Sequence, residues 1–97
     1  MRFFEFKDKN GKTIYLTKER WLHINVEHPE IANYLKEFNE ILSKPTKIVN
    51  YLYDNKVKYY YKYFKDRKEK SKHLLVIVKY LNGEGFIITS YFVRTIK

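Results

Sequence analysis

Near Pro45 the hydrophobic pattern of this chain changes period, and that change limits the folds open to it. Upstream, Ile31, Tyr34, Leu35, Phe38, Ile41 and Leu42 recur at helical spacing, the stripe of an element lying on a core. Downstream the period is two. Thr46 to Tyr53, Val57 to Phe64, Lys72 to Leu81 and Phe86 to Arg94 read as four strands. They are joined by Asp54-Asn55, by the charged run Lys65 to Lys70, and by Asn82-Gly83-Glu84-Gly85. Connections this short favour an antiparallel meander. Leu74 to Val78 is apolar on both faces, as a central strand requires.

Ahead of the helical stripe, Arg2 to Lys7 and Thr13 to Leu16 read as a hairpin around Asp8-Lys9-Asn10-Gly11. Thr17 can cap a helix from Lys18 to about Glu27. Pro29 cannot continue that helix, but suits the first turn of a second one, which should end near Ser43. The expectation is an α+β fold: an N-terminal hairpin and two helices packed on a four-stranded antiparallel sheet, in one domain spanning residues 1–97.

Twenty Lys and Arg face 11 Asp and Glu, leaving a formal charge of +9. So large a surplus in a small domain points to a polyanion as partner, although surplus Lys also aids solubility. The chain has no cysteine, which removes thiolate nucleophiles and Cys-based zinc sites. No apolar run approaches the roughly 20 residues of a membrane span, and Met1 to Glu5 is no secretory signal. The expected setting is the cytoplasm, with no membrane partner.

Two of the three histidines, His23 and His28, flank the helix break at Pro29. Imidazole titrates near neutrality and can exchange protons without a metal. Arg20, His23 and Glu27 share a helix face, where an acid can hold the His tautomer. His28 stands where free N–H groups of the next helix can attract an anion. The spacing of His23, Glu27 and His28 across a helix break is no recognised metal pattern, so neither metal nor other cofactor is expected. His73, beside the charged loop, reads as inert.

On Val57 to Phe64, Lys58, Tyr60 and Lys62 alternate against Tyr59, Tyr61 and Tyr63. Lys and Tyr on one sheet offer phosphate clamps and stacking platforms together. In the last strand Thr89 and Tyr91 share a face. Arg94 has the opposite parity unless a bulge or twist re-aims it. No Gly-rich phosphate loop or Ser/His/Asp order is present.

The succession Leu16-Thr17-Lys18-Glu19-Arg20-Trp21-Leu22-His23-Ile24, His28-Pro29-Glu30, a Tyr/Lys-rich strand, Leu74 to Lys79, and Gly85-Phe86-Ile87-Ile88-Thr89-Ser90-Tyr91 resembles the phage-associated branch of the barnase/EndoU/colicin/RelE-like nuclease superfamily. The resemblance covers roughly residues 14 to 97. It implies helices on a four-stranded antiparallel sheet and a metal-independent RNase, toxin- or effector-like, held in check by an antitoxin or immunity protein. The matching positions are His23, His28, the Tyr61-Lys62 strand, Thr89 and Tyr91. The resulting expectation is RNA cleavage through the 2'-hydroxyl, with His23 as general base and His28 as acid, labels that could be exchanged. Lys62 and Arg94 would stabilise charge, Thr89 and Tyr91 would position the phosphate, and Arg20, Lys58, Tyr60 and Tyr61 would hold the substrate. Two alternatives stand beside it: a non-catalytic nucleic-acid-binding module, and a toxin-like inhibitor of a protein target. Exposed Tyr and Phe could also serve a homodimer.

Overall fold

The computed structural model describes residues 3–96. Strand β1 (Phe3–Lys7) turns back into β2 (Thr13–Thr17), which leads directly into helix α1 (Lys18–Glu27). The Thr17 hydroxyl accepts from the Arg20 N–H at 3.1 Å, the N-cap the sequence suggests. A 3₁₀ segment (Pro29–Asn33) and a short helix α2 (Glu37–Ser43) follow. Then come β3 (Lys47–Asn50), β4 (Val57–Tyr63), β5 (His73–Leu81) and β6 (Glu84–Val93). Among the described residues no helix is long and apolar enough to cross a membrane.

The expected second helix is broken. Tyr34 N–H bonds to Ile31 O at 2.8 Å, Glu37 N–H to Tyr34 O at 2.9 Å and Phe38 N–H to Leu35 O at 3.1 Å, so the chain passes the break in i→i+3 turns. Tyr34 packs edge-on against Phe64 and Phe92, with centroids 5.7 and 4.9 Å away, which holds the corner in place. The apolar spacing served its purpose all the same: Ile31, Phe38, Ile41 and Leu42 are all fully buried.

The expected four-stranded antiparallel sheet is also corrected. The strands form one six-stranded sheet in the order β1-β2-β6-β5-β4-β3. It is mixed, because β2 pairs with β6 in parallel at Ile14–Gly85 and Tyr15–Phe86. A hairpin alone is marginal in water, and docking it on β6 buries Ile14 and Leu16. Gly85, read from sequence as part of a loop, makes the docking possible. A Cβ there would strike the Ile14 side chain and lie 2.9 Å from Val78 Cγ1. The β5–β6 turn is therefore only Asn82-Gly83, both at positive φ as a two-residue hairpin loop requires.

The β5–β6 register slips between Ile77, opposite Thr89, and Val78, opposite Ile87, leaving Ile88 as an extra residue. The slip places Ile87 with the core under the helices, and Thr89, Tyr91 and Val93 on the opposite face. Beneath the helices lie Ile14, Leu16, Tyr60, Leu74, Val76, Val78 and Ile87. The other face carries Tyr61, Leu75 and Ile77, bordered by Val49, Val57, Tyr59, Tyr91 and Val93. No helix covers it.

Candidate active site

Pairing between β2 and β6 stops at Tyr15–Phe86, while β6 runs on to Val93. Helix α1 and the 3₁₀ segment pack along the edge so vacated. His28, joining them, leaves helical geometry before Pro29 at φ −137° and ψ 75°, short of the extended backbone usual ahead of a proline, and its own N–H bonds to Ile24 O at 2.7 Å. Its ring comes to rest on Tyr91, with centroids 4.8 Å apart and planes 32° apart. The helix break thus delivers an imidazole to the open face of the sheet from beyond its edge.

Tyr91 belongs to a groove of about 610 Å³ that crosses the open face through Val93 and Arg94, Leu75, Tyr59 and Tyr61 to Val49 and Tyr51. From β6 to β3 this spans three strand spacings, about 14 Å. Its far lip is aromatic: Tyr51 stacks on Tyr59 at 5.7 Å with planes 6° apart, and Tyr53 stands edge-on to Tyr51. Leu52 and Tyr53 are 82% and 81% exposed, an unusual state for two consecutive apolar residues. Lys47 is exposed and lies opposite Tyr61 on the same face. Burial raises the Tyr59 phenol above its ordinary value, so it remains a neutral ring.

Arg94 reaches the groove because β6 ends at Val93 and the chain leaves strand geometry there, not because the bulge lies nearby. Its carbonyl oxygen is 3.2 Å from His73 Nδ1, and the His73 ring packs 5.1 Å from that of Tyr63. The Thr89 hydroxyl is buried without a hydrogen-bond partner, opposite Ile77. Among the described residues, no three His, Asp or Glu side chains are grouped so as to hold a metal ion.

Compared with known proteins, the chain matches no family model, no curated protein and no solved structure.

The candidate residues read from sequence divide into two groups. Tyr91 and Arg94 line the groove, His28 sets its ring against Tyr91, and Tyr61 forms part of the groove floor, only 1% exposed and so packed rather than free to stack. His23 stays on the outside of α1, its Nε2 3.4 Å from Glu27, beside a separate surface hollow lined by Thr17, Glu19 and Arg20. Lys62 lies opposite Leu74 on the helix side, 3.6 Å from Glu40 and bonded to Lys44 O at 3.2 Å. Lys58 donates to Asn50 Oδ1 at 2.9 Å and borders a helix-side hollow with Lys9, Lys12 and Lys56. Tyr60 is core: its hydroxyl meets that of Tyr80 at 2.5 Å, and Tyr80 donates to Asp8 Oδ2 at 2.9 Å. Burial raises both phenols, with Tyr80 held further by its bonds to Tyr60 and Asp8.

Sequence reasoning gave no role to Tyr51, Leu52 or Tyr53 and read His73 as inert. Three apolar residues just before the Asp54-Asn55 turn exceed what an edge strand needs, and that was a legible signal. The place of His73 required the register.

Proposed function

We propose that this chain is a metal-independent ribonuclease that takes single-stranded RNA into the aromatic groove and cleaves it by 2'-hydroxyl transesterification. The observation that carries this reading is the His28 ring set against Tyr91, which together with Arg94 lines an aromatic groove, in a chain of net charge +9. Bases stack on Tyr51 and Tyr53, as aromatic platforms allow without regard to sequence. The phosphate lies at the β6 end, where the Arg94 guanidinium stabilises charge on the phosphorane and the Tyr91 hydroxyl orients it. The 2'-oxygen bonds to phosphorus as the bond to the 5'-oxygen breaks, giving a 2',3'-cyclic phosphate and a free 5'-hydroxyl. His28 carries one of the two proton transfers this requires.

The test is an end-labelled RNA incubated with an excess of chelator, beside the same strand with deoxyribose throughout. Cyclic phosphate ends from the RNA and an intact deoxy strand are expected. Loss of cleavage with chelator, or cutting of the deoxy strand, would overturn the mechanism. RNA bound but left whole by the parent would favour a second reading, a single-strand-binding module, which the Tyr51–Tyr59 stack and exposed Tyr53 support without any histidine.

A further inference from the structure

We infer that His73 is the second proton carrier of this groove, acting as general base through Nε2. The inference rests on the ribonuclease reading above and deepens it. His73 faces Tyr63 on β4 and Val93 on β6, and stands two residues from Leu75, whose side chain is packed on the open face opposite Tyr91. Alternation along β5 therefore turns His73 to that same face. It is a diagonal neighbour of Tyr91, with Cα atoms about 7–8 Å apart in such pairs. His28 approaches Tyr91 from beyond the β6 edge, whereas His73 comes from β5, on the other side. A phosphate lying over Tyr91 would have an imidazole on each flank.

The state of the ring follows from its contact. A carbonyl oxygen only accepts, so the 3.2 Å approach to Arg94 O places the hydrogen on His73 Nδ1. The neutral ring then carries its lone pair on Nε2, ready to accept a proton. The same contact ties the base to the backbone of the residue that offers the guanidinium. The groups packed around His73 are Tyr63 from β4 and Arg94 beyond β6. On its own element, Lys72 turns its ammonium to the loop carbonyls of Lys65 and Arg67. In the reaction Nε2 takes the 2'-hydroxyl proton as O2' bonds to phosphorus, and protonated His28 gives its proton to the departing 5'-oxygen. His73 ends protonated and His28 neutral, and exchange with water restores both.

The test compares His73→Asn, His73→Ala and His28→Ala on end-labelled single-stranded RNA across the neutral pH range, with binding measured on the deoxy strand. Asn retains an N–H donor for Arg94 O but no basic nitrogen. Both His73 variants should lose about 10²-fold or more in cleavage and still bind, and His73→Asn should keep the parent's melting temperature. Both should also lose the rise in rate with pH that marks a base being freed of its proton, whereas His28→Ala should lose the fall at high pH. If the parent cuts, His28→Ala does not, and His73→Asn cuts at the parent's rate, the inference fails and the ribonuclease reading stands. It fails in the same way if Ala is inactive and Asn restores activity, since His73 would then only tether Arg94. A parent that leaves RNA intact would sink both.

Discussion

On the helix-covered face of the sheet, Ile14, Leu16, Leu74, Val76 and Val78 are fully buried under Ile24, Ile31, Phe38, Ile41 and Leu42. On the open face, among the described residues, only Tyr61, Leu75 and Ile77 are buried, and the border mixes valines with tyrosines: Val49, Val57 and Val93 beside Tyr51, Tyr59 and Tyr91, with Tyr53 beyond. The first face is mainly aliphatic and closed, with its polar exceptions hydrogen-bonded, as Tyr60 is to Tyr80 and Ser90 to Leu75 O. The second is rich in tyrosine and half open, with Arg94 in its lining and the Thr89 hydroxyl left without a partner. Burial of apolar area holds the first together. A surface left this incomplete stabilises little and leaves room for a ligand. On the proposed function, stability and function thus occupy opposite sides of the same strands, often on adjacent residues such as Tyr60 and Tyr61.

That contrast can be broken by experiment. The largest effect should come from Phe38→Ala, which removes the ring between Phe6 and Trp21, each at 5.9 Å, and should cost about 3–5 kcal/mol by denaturant titration. A loss below about 1 kcal/mol would mean that the covered face does not carry the stability. His28→Ala should do the reverse, lowering cleavage by about 10²- to 10⁴-fold while binding and melting temperature stay near the parent's. A variant that unfolds instead would make His28 a structural corner.

Tyr51→Ala and Tyr53→Ala come next. Each should weaken single-stranded RNA by about 1–3 kcal/mol, read by fluorescence anisotropy, with stability changed by less than about 0.5 kcal/mol for the exposed Tyr53. Equal affinity of parent and variants would remove the stacking role of the lip. On the covered side, Tyr80→Phe deletes the donor to Asp8 Oδ2 and should cost about 1–3 kcal/mol. The pH dependence follows from both phenols being raised above 10.0, chiefly by burial. They ionise in the unfolded chain first, so their stabilisation is complete below about pH 10 and falls as pH rises towards the folded values. Tyr80→Phe should flatten that alkaline loss; an unchanged slope would show that the network does not couple to folding.

The smallest effect separates two cations. Lys62→Ala, on the Glu40 side, should cost at most about 1 kcal/mol and leave the salt dependence of RNA binding unaltered. Arg94→Ala should lower that slope by about 0.7, one phosphate's share for a single strand. If the two exchange behaviours, RNA lies on the covered face and the groove assignment is wrong.

Elements with a strong local signal were legible. Thr17 caps α1, Pro29 ends it, and β4 to β6 follow the period-two pattern, because each depends on residues within a turn or on simple alternation. The helix expected from Pro29 to Ser43 failed because one apolar spacing suits both α and i→i+3 turns; tertiary contacts around Tyr34 chose between them. His28, Tyr91 and Arg94 could each be picked out in sequence, but not that the fold would set the His28 ring against Tyr91. Alternation alone set Lys62 and Tyr61 on opposite faces; which of those faces the helices cover was decided by the packing. The pair His23 and His28 looked close because sequence is the only measure of nearness a one-dimensional reading has.

Taken alone, the sequence determined the class of fold, the positive charge, the break at Pro29 and the supply of tyrosine, all properties of composition and near neighbours. Only the tertiary structure decided that β2 docks in parallel on β6 through Gly85, that the slip at Ile88 sends Tyr91 outward, and that the His28 ring lies against Tyr91 while His73 meets the Arg94 carbonyl. Those outcomes depend on pairing between strands far apart in the chain. A shift of one residue there exchanges the two faces, and no local energy reports it.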